Sequence, residues 1–73
     1  MAEITFNIEK KYGILSEKES GWKKEVNLVS WNGREAKIDI REWNEDHTRM
    51  SKGLTFTKEE ILKLKKILNT IEL

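Results

Sequence analysis

The sequence predicts an α+β fold: four antiparallel β-strands in one sheet, followed by a C-terminal α-helix, in the order ββββα. Apolar residues alternate with period two in segments as far as Phe56, Asn32-Gly33 punctuates two of these segments as a hairpin turn, and from Thr57 the apolar period becomes helical. A run of strands followed by a helix gives a segregated plan with the helix on one sheet face.

The first strand is "EITFNIEKKYGILSE", residues 3–17. It alternates Ile4, Phe6 and Ile8, meets Gly13, which marks a bulge or bend, and resumes with Ile14 and Leu15. "KESG" (18–21) is a turn and "WKKEVNLVSW" (22–31) the second strand. "EAKIDIREW" (35–43) is the third, and after the polar loop "NEDHTR" (44–49) comes a short fourth strand, "MSKGLTFT" (50–57), broken by Gly53. Thr57 and Glu60 have the spacing of a capping box, in which each side chain satisfies an orphan backbone N–H of the other. Ile61, Leu64, Ile67, Leu68 and Ile71 then fall in one apolar stripe roughly 120° wide.

The register of the second and third strands has two solutions. A two-residue Asn32-Gly33 turn pairs Trp31 with Arg34 and puts Val29 in line with Ala36 and Ile38. A three-residue loop sets Val26 and Leu28 beside Ile38 and Ile40 instead. We expect the longer loop, because it gathers four branched apolar residues on one face. Asn27, Val29 and Trp31 then share the other face with Lys37, Asp39, Arg41 and Trp43.

With 73 residues, 37% hydrophobic and 37% charged, the chain is read as one domain, 1–73, with a small core that a partner chain would help to complete. It has no Cys, hence no disulfide framework and no thiolate nucleophile or ligand. The start "MAEITFNIEKK" has no apolar run of signal-peptide or membrane-span length, so a cytoplasmic, soluble protein is expected, with nucleoid association compatible. The net charge of +1 decides nothing by itself. Its distribution does, since acids gather in "SEKES", "EWNED" and "TKEE" while bases fall within or beside strands.

Two Trp among basic side chains on one sheet face suit single-stranded nucleic acid. Unpaired bases expose π-faces that stack on indole for about 1–3 kcal/mol each, while Lys and Arg neutralise the intervening phosphates. The competing assignment makes Trp31 and Trp43 core or dimer-contact aromatics. His47 lacks converging ligands and is expected as a solvated or loop-capping residue, so no metal site and no cofactor follow. Asp39, a single acid on a basic face, suits a salt bridge that positions Lys37 or Arg41 better than a general base.

"IDIREW" at 38–43, followed by "KGLTFTKEE" at 52–60 and a C-terminal helix, resembles the positive cofactor four family of transcriptional coactivators. With "GWKKEVNLVSWN" at 21–32 and "DH" at 46–47, the resemblance is strongest to its bacterial YdbC-like branch. It covers the chain from Gly21 onward. It implies a homodimer of curved four-stranded sheets, each with a C-terminal helix, that binds single-stranded DNA with little sequence preference and is not an enzyme. Arg41 and Lys52 match DNA-contacting positions of the family and Trp43 an aromatic position beside them. Strand parity and charge add Trp22, Lys24, Trp31 and Lys37. The chain lacks the Ser-rich acidic N-terminal region of eukaryotic members and has a shorter loop between the second and third strands. The expected role is to hold melted strands in transcription, replication or repair, with single-stranded RNA or a docked protein as alternative partners and no small-molecule substrate.

Overall fold

The computed structural model describes residues 4–73, so Glu3, the first residue of the expected first strand, lies outside it. Strands β1 (Phe6–Glu17), β2 (Lys23–Trp31), β3 (Lys37–Trp43) and β4 (Leu54–Phe56) form an open antiparallel sheet in sequential order, and α1 (Lys58–Thr70) follows. β1 runs through Gly13 without ending. Register shifts interrupt its pairing with β2 between Ile8 and Lys10, between Lys11 and Gly13, and between Ile14 and Ser16; irregularities of this kind bend a strand and increase its twist. The helix begins where the capping box predicts: the Glu60 N–H donates to Thr57 Oγ1 (3.2 Å) and the Thr57 N–H to Glu60 Oε1 (2.8 Å).

Both solutions for the β2–β3 connection are realised in part. Asn32 and Gly33 have φ of 52° and 73°, the paired positive values of a tight two-residue hairpin turn, and the Arg34 N–H closes it on the Trp31 carbonyl (2.9 Å). That closure alone would set Val29 opposite Ala36. Instead Val29 pairs with Lys37, Leu28 with Ile38 and Val26 with Ile40, the register of the longer connection. One extra residue before β3 absorbs the difference, and Ser30 Oγ, donating to the Arg34 carbonyl, holds the irregular stretch.

The fourth strand is shorter than its sequence segment. Met50 bridges Trp43, the ladder lapses, and β4 resumes at Leu54. A Cβ at Gly53 would collide with Arg41 Cβ and the Ile40 carbonyl oxygen, so this residue is Gly because the chain lies directly against β3.

Burial divides the sheet in an unexpected way. The face of Val26, Leu28, Ile38 and Ile40, joined by Leu54 and Phe56, receives the helix, yet those four β2 and β3 residues are only half-buried and no residue of α1 is fully buried. On the other face Glu25, Asn27, Val29, Asp39 and Trp43 are all 4% exposed or less. Alternation correctly sorted the side chains into two sets but assigned the better-covered set to solvent.

Candidate nucleic-acid interface

The well-covered face is built around aromatic rings. Phe6, brought opposite Trp31 by β1, lies 5.0 Å from the Trp43 ring and 5.8 Å from Trp31; the two indoles are nearly parallel, 6.4 Å apart at 11°. His47 completes the group at 5.6 Å from Trp43. It comes from a self-tied turn in which its N–H donates to the Asn44 carbonyl, Thr48 Oγ1 to Asp46 and the Arg49 N–H to Asn44 Oδ1. The Asp46 carboxyl is held below its ordinary value, first by the Thr48 hydroxyl and then by the Thr48 N–H.

Trp43 therefore departs from the sequence expectation. It shares a side with Asp39 and Arg41, as parity requires, but it is 0% exposed and offers no ring face to a base. Phe6, Trp31 and His47 occupy the space a base would need. Trp31 is half-buried, with the Arg41 guanidinium 4.5 Å over its ring.

Arg41 is itself tightly bound. Its Nε and Nη2 donate to the two oxygens of fully buried Asp39 at 2.6 and 2.8 Å, Thr55 Oγ1 donates to the same carboxylate at 2.8 Å, and Nη1 reaches the Ser51 carbonyl at 3.4 Å. Such a forked pair fixes the guanidinium plane, so Arg41 is a preset cation over an indole ring, with its side chain 14% exposed. Asp39 thus positions Arg41, one of the two bases the sequence offered it.

The remaining predicted contacts divide. Lys37 is exposed, on the aromatic side by alternation, and Lys52 is exposed immediately before Gly53. Trp22 precedes β2 and is half-buried. Lys24 is a second correction: opposite Glu42, it alternates with Val26 onto the helix face, away from Lys37 and Arg41. The structure brings Trp31, Lys37 and Arg41 to one face and leaves Lys24 on the other.

A polar network that the sequence does not announce lies under the same face. Asn27 Nδ2 donates to Glu25 Oε1 (3.0 Å), and His47 Nε2 lies 2.9 and 3.0 Å from the two Glu25 oxygens. Burial acts to raise the Glu25 carboxyl, but bonds from Asn27 and His47, with the charges of His47 and Lys11, outweigh it and hold the group below its ordinary value. Val29 beside them signalled a covered face. Glu25 and Asn27, polar residues on the expected outer side, gave no such signal.

The sequence matches the family model described as Transcriptional Coactivator p15 (PC4) over residues 18–67. It is also similar to a protein of Treponema pallidum (strain Nichols) described as uncharacterized, at 41% identity over 71 residues that cover 97% of this chain and 84% of that protein.

Proposed function

Because this chain belongs to the transcriptional coactivator p15 (PC4) family, a non-enzymatic nucleic-acid-binding family, we propose that it binds single-stranded DNA with little sequence preference, holding melted strands during transcription, replication or repair. The observation that carries this reading is the Trp31–Arg41 stack: a half-exposed indole with a guanidinium locked against it, on the sheet side that also bears Lys37. A base can meet the remaining exposed part of the indole while exposed cations neutralise neighbouring phosphates. Trp43, buried 6.4 Å from the Trp31 ring, packs beside the platform and is not itself a contact.

The protein acts as a homodimer. Support comes from the helix face, where a wholly apolar recess of about 510 Å³ is lined by residues including Tyr12, Leu15, Val26, Ile40, Leu64 and Leu68, with Leu15 61% and Leu68 56% exposed. An open recess of this kind beside a small core calls for a second apolar surface. Titration of intrinsic Trp fluorescence with oligo(dT), oligo(U) and duplex tests the proposal. Quenching by oligo(dT), weaker quenching by duplex and a log K that falls with log salt by about 0.7 per phosphate neutralised are expected. No response to any single strand would overturn it, and a stronger response to oligo(U) would make RNA the ligand.

A further inference from the structure

Beside the aromatic cluster, β1, β2 and the His47 turn enclose a recess of about 300 Å³ whose walls include Lys11, Gly13, Lys23, Glu25, Asn27 and His47. A shift in the β1 ladder falls between Lys11 and Gly13, and nothing lies within 4 Å of where a Gly13 Cβ would stand, so the wall is open there. Asn27 is 1% exposed, and its Oδ1 has no hydrogen-bond partner among the described residues, although its amide nitrogen is engaged by Glu25. A buried acceptor without a donor is costly. Beside it, both oxygens of a buried carboxylate share a single ring nitrogen of His47.

Behind the His47 ring the recess therefore holds three acceptor positions, Asn27 Oδ1 and the two Glu25 oxygens, with Lys11 and Lys23 also on its walls. Its chemical complement has clustered N–H donors at one end and negative charge at the other. Among the bases of a nucleic-acid strand, guanine fits best: N1–H and one N2–H can each take a Glu25 oxygen, leaving the second N2–H for Asn27 Oδ1. Adenine and cytosine offer an exocyclic amine with a ring acceptor beside it. Thymine offers one N–H between two carbonyls, which would face the carboxylate.

We infer that this recess is a guanine subsite within the strand-binding surface, a reading that rests on the proposed single-strand binding and adds a preference at one position to a contact otherwise indifferent to sequence. Asn27 Oδ1 lies beneath the accessible surface, so the entering base displaces the His47 ring, which stands on a turn and not on the sheet. One shared donor is exchanged for two directed ones, and the orphan acceptor is satisfied. The neighbouring phosphates meet Lys11 and Lys23.

The test compares oligo(dT) with the same strand carrying one central deoxyguanosine or one central inosine, whose base keeps N1–H but lacks the 2-amino group. The guanine strand should bind about tenfold more tightly than oligo(dT), as for a good multidentate base contact, and inosine should recover only part of the gain. Asn27→Leu should narrow the gap between guanine and inosine without abolishing it, because the N2–H directed at Glu25 remains. Equal affinities of wild type for the guanine and thymine strands, or a guanine–inosine gap undiminished in Asn27→Leu, would overturn the subsite. If that variant does not fold, the guanine–inosine gap in wild type decides: a gap supports the subsite and its absence overturns it. If oligo(dT) is not bound at all, strand binding fails instead, and a chemical-shift titration with dGMP and dIMP judges the recess alone. Selectivity for dGMP supports it, and equal response removes it.

Discussion

The two faces of this sheet solve the same packing problem in opposite ways. The helix face is apolar in composition yet open: Val26, Leu28, Ile38 and Ile40 are half-buried, and the helix leaves Ile67 and Leu68 each 56% exposed. The aromatic face is rich in charge yet closed, with Asp39 and Trp43 at 0% exposed. Composition would have ranked them the other way. Closure is decided by which neighbouring segments reach a face. Phe6 and the His47 turn, brought over one side by a bent strand and a left-handed residue (φ 59°), cover the aromatic face, whereas the opposite face meets one short helix. Buried charge is tolerated on the closed side because each group is answered, Asp39 by Arg41 and Thr55, Glu25 by Asn27 and His47.

The largest effect that would break this comparison lies at Trp43. Trp43→Ala should destabilise folding by about 3–5 kcal/mol, the cost of emptying a packed aromatic site, as read by urea unfolding. A fully stable variant that loses oligo(dT) binding would show that the ring belongs to an open face after all. On the helix side the effect should appear in assembly. Leu68→Glu should weaken the proposed dimer by about 2 kcal/mol, the scale of a central contact residue, with sedimentation equilibrium shifting toward monomer. An unchanged mass would mean that the apolar recess is covered in some other way.

Smaller effects sharpen the contrast within the aromatic face. Lys37→Ala should reduce the slope of log K against log salt by about 0.7, one phosphate contact, while Arg41→Ala should reduce it by less because Asp39 already holds that charge. Equal losses would show that the Arg41 charge is available to phosphate in full. The smallest effect is in acid. The Glu25 carboxyl, although burial pushes it up, is held low by its Asn27 and His47 partners, so its contribution is present above the ordinary carboxylate value and lost as pH falls through the folded value. Glu25→Gln should flatten that acid limb in thermal unfolding measured below about pH 4.5, the reference value for a glutamate. A limb of undiminished steepness would place the titration elsewhere.

Much of the fold was legible because the signals were local. The capping box, the Asn-Gly turn, the break at Gly53 and the pairing of Val26 and Leu28 with Ile40 and Ile38 each depend on residues close in sequence or on simple alternation. The site was legible only as a parity. Alternation placed Trp31, Lys37, Arg41 and Trp43 on one side, but it carries no information about whether another segment lies over that side. Covering Trp43 takes contacts with Phe6, far away in the chain, and a left-handed backbone at His47, a conformation that His adopts more readily than most residues but still in a small minority of cases. Lys24 falls on the helix face for a simpler reason: its even position in β2 puts it with Val26, whatever its charge suggests.

The near-parallel indoles of Trp31 and Trp43 have an optical consequence. Two strongly absorbing chromophores 6.4 Å apart couple their transition dipoles, so each ceases to absorb independently, and the in-plane rotation of one indole against the other sets the sign and size of a pair of opposite circular dichroism bands in the far ultraviolet. Those bands fall where the peptide backbone also absorbs, and conventional deconvolution of the spectrum would misjudge the strand content. The same overlap makes a useful probe. The couplet vanishes once the two rings lose their fixed relative orientation, even while the strands persist, so a far-ultraviolet measurement on this protein would report side-chain order at a wavelength ordinarily reserved for the main chain.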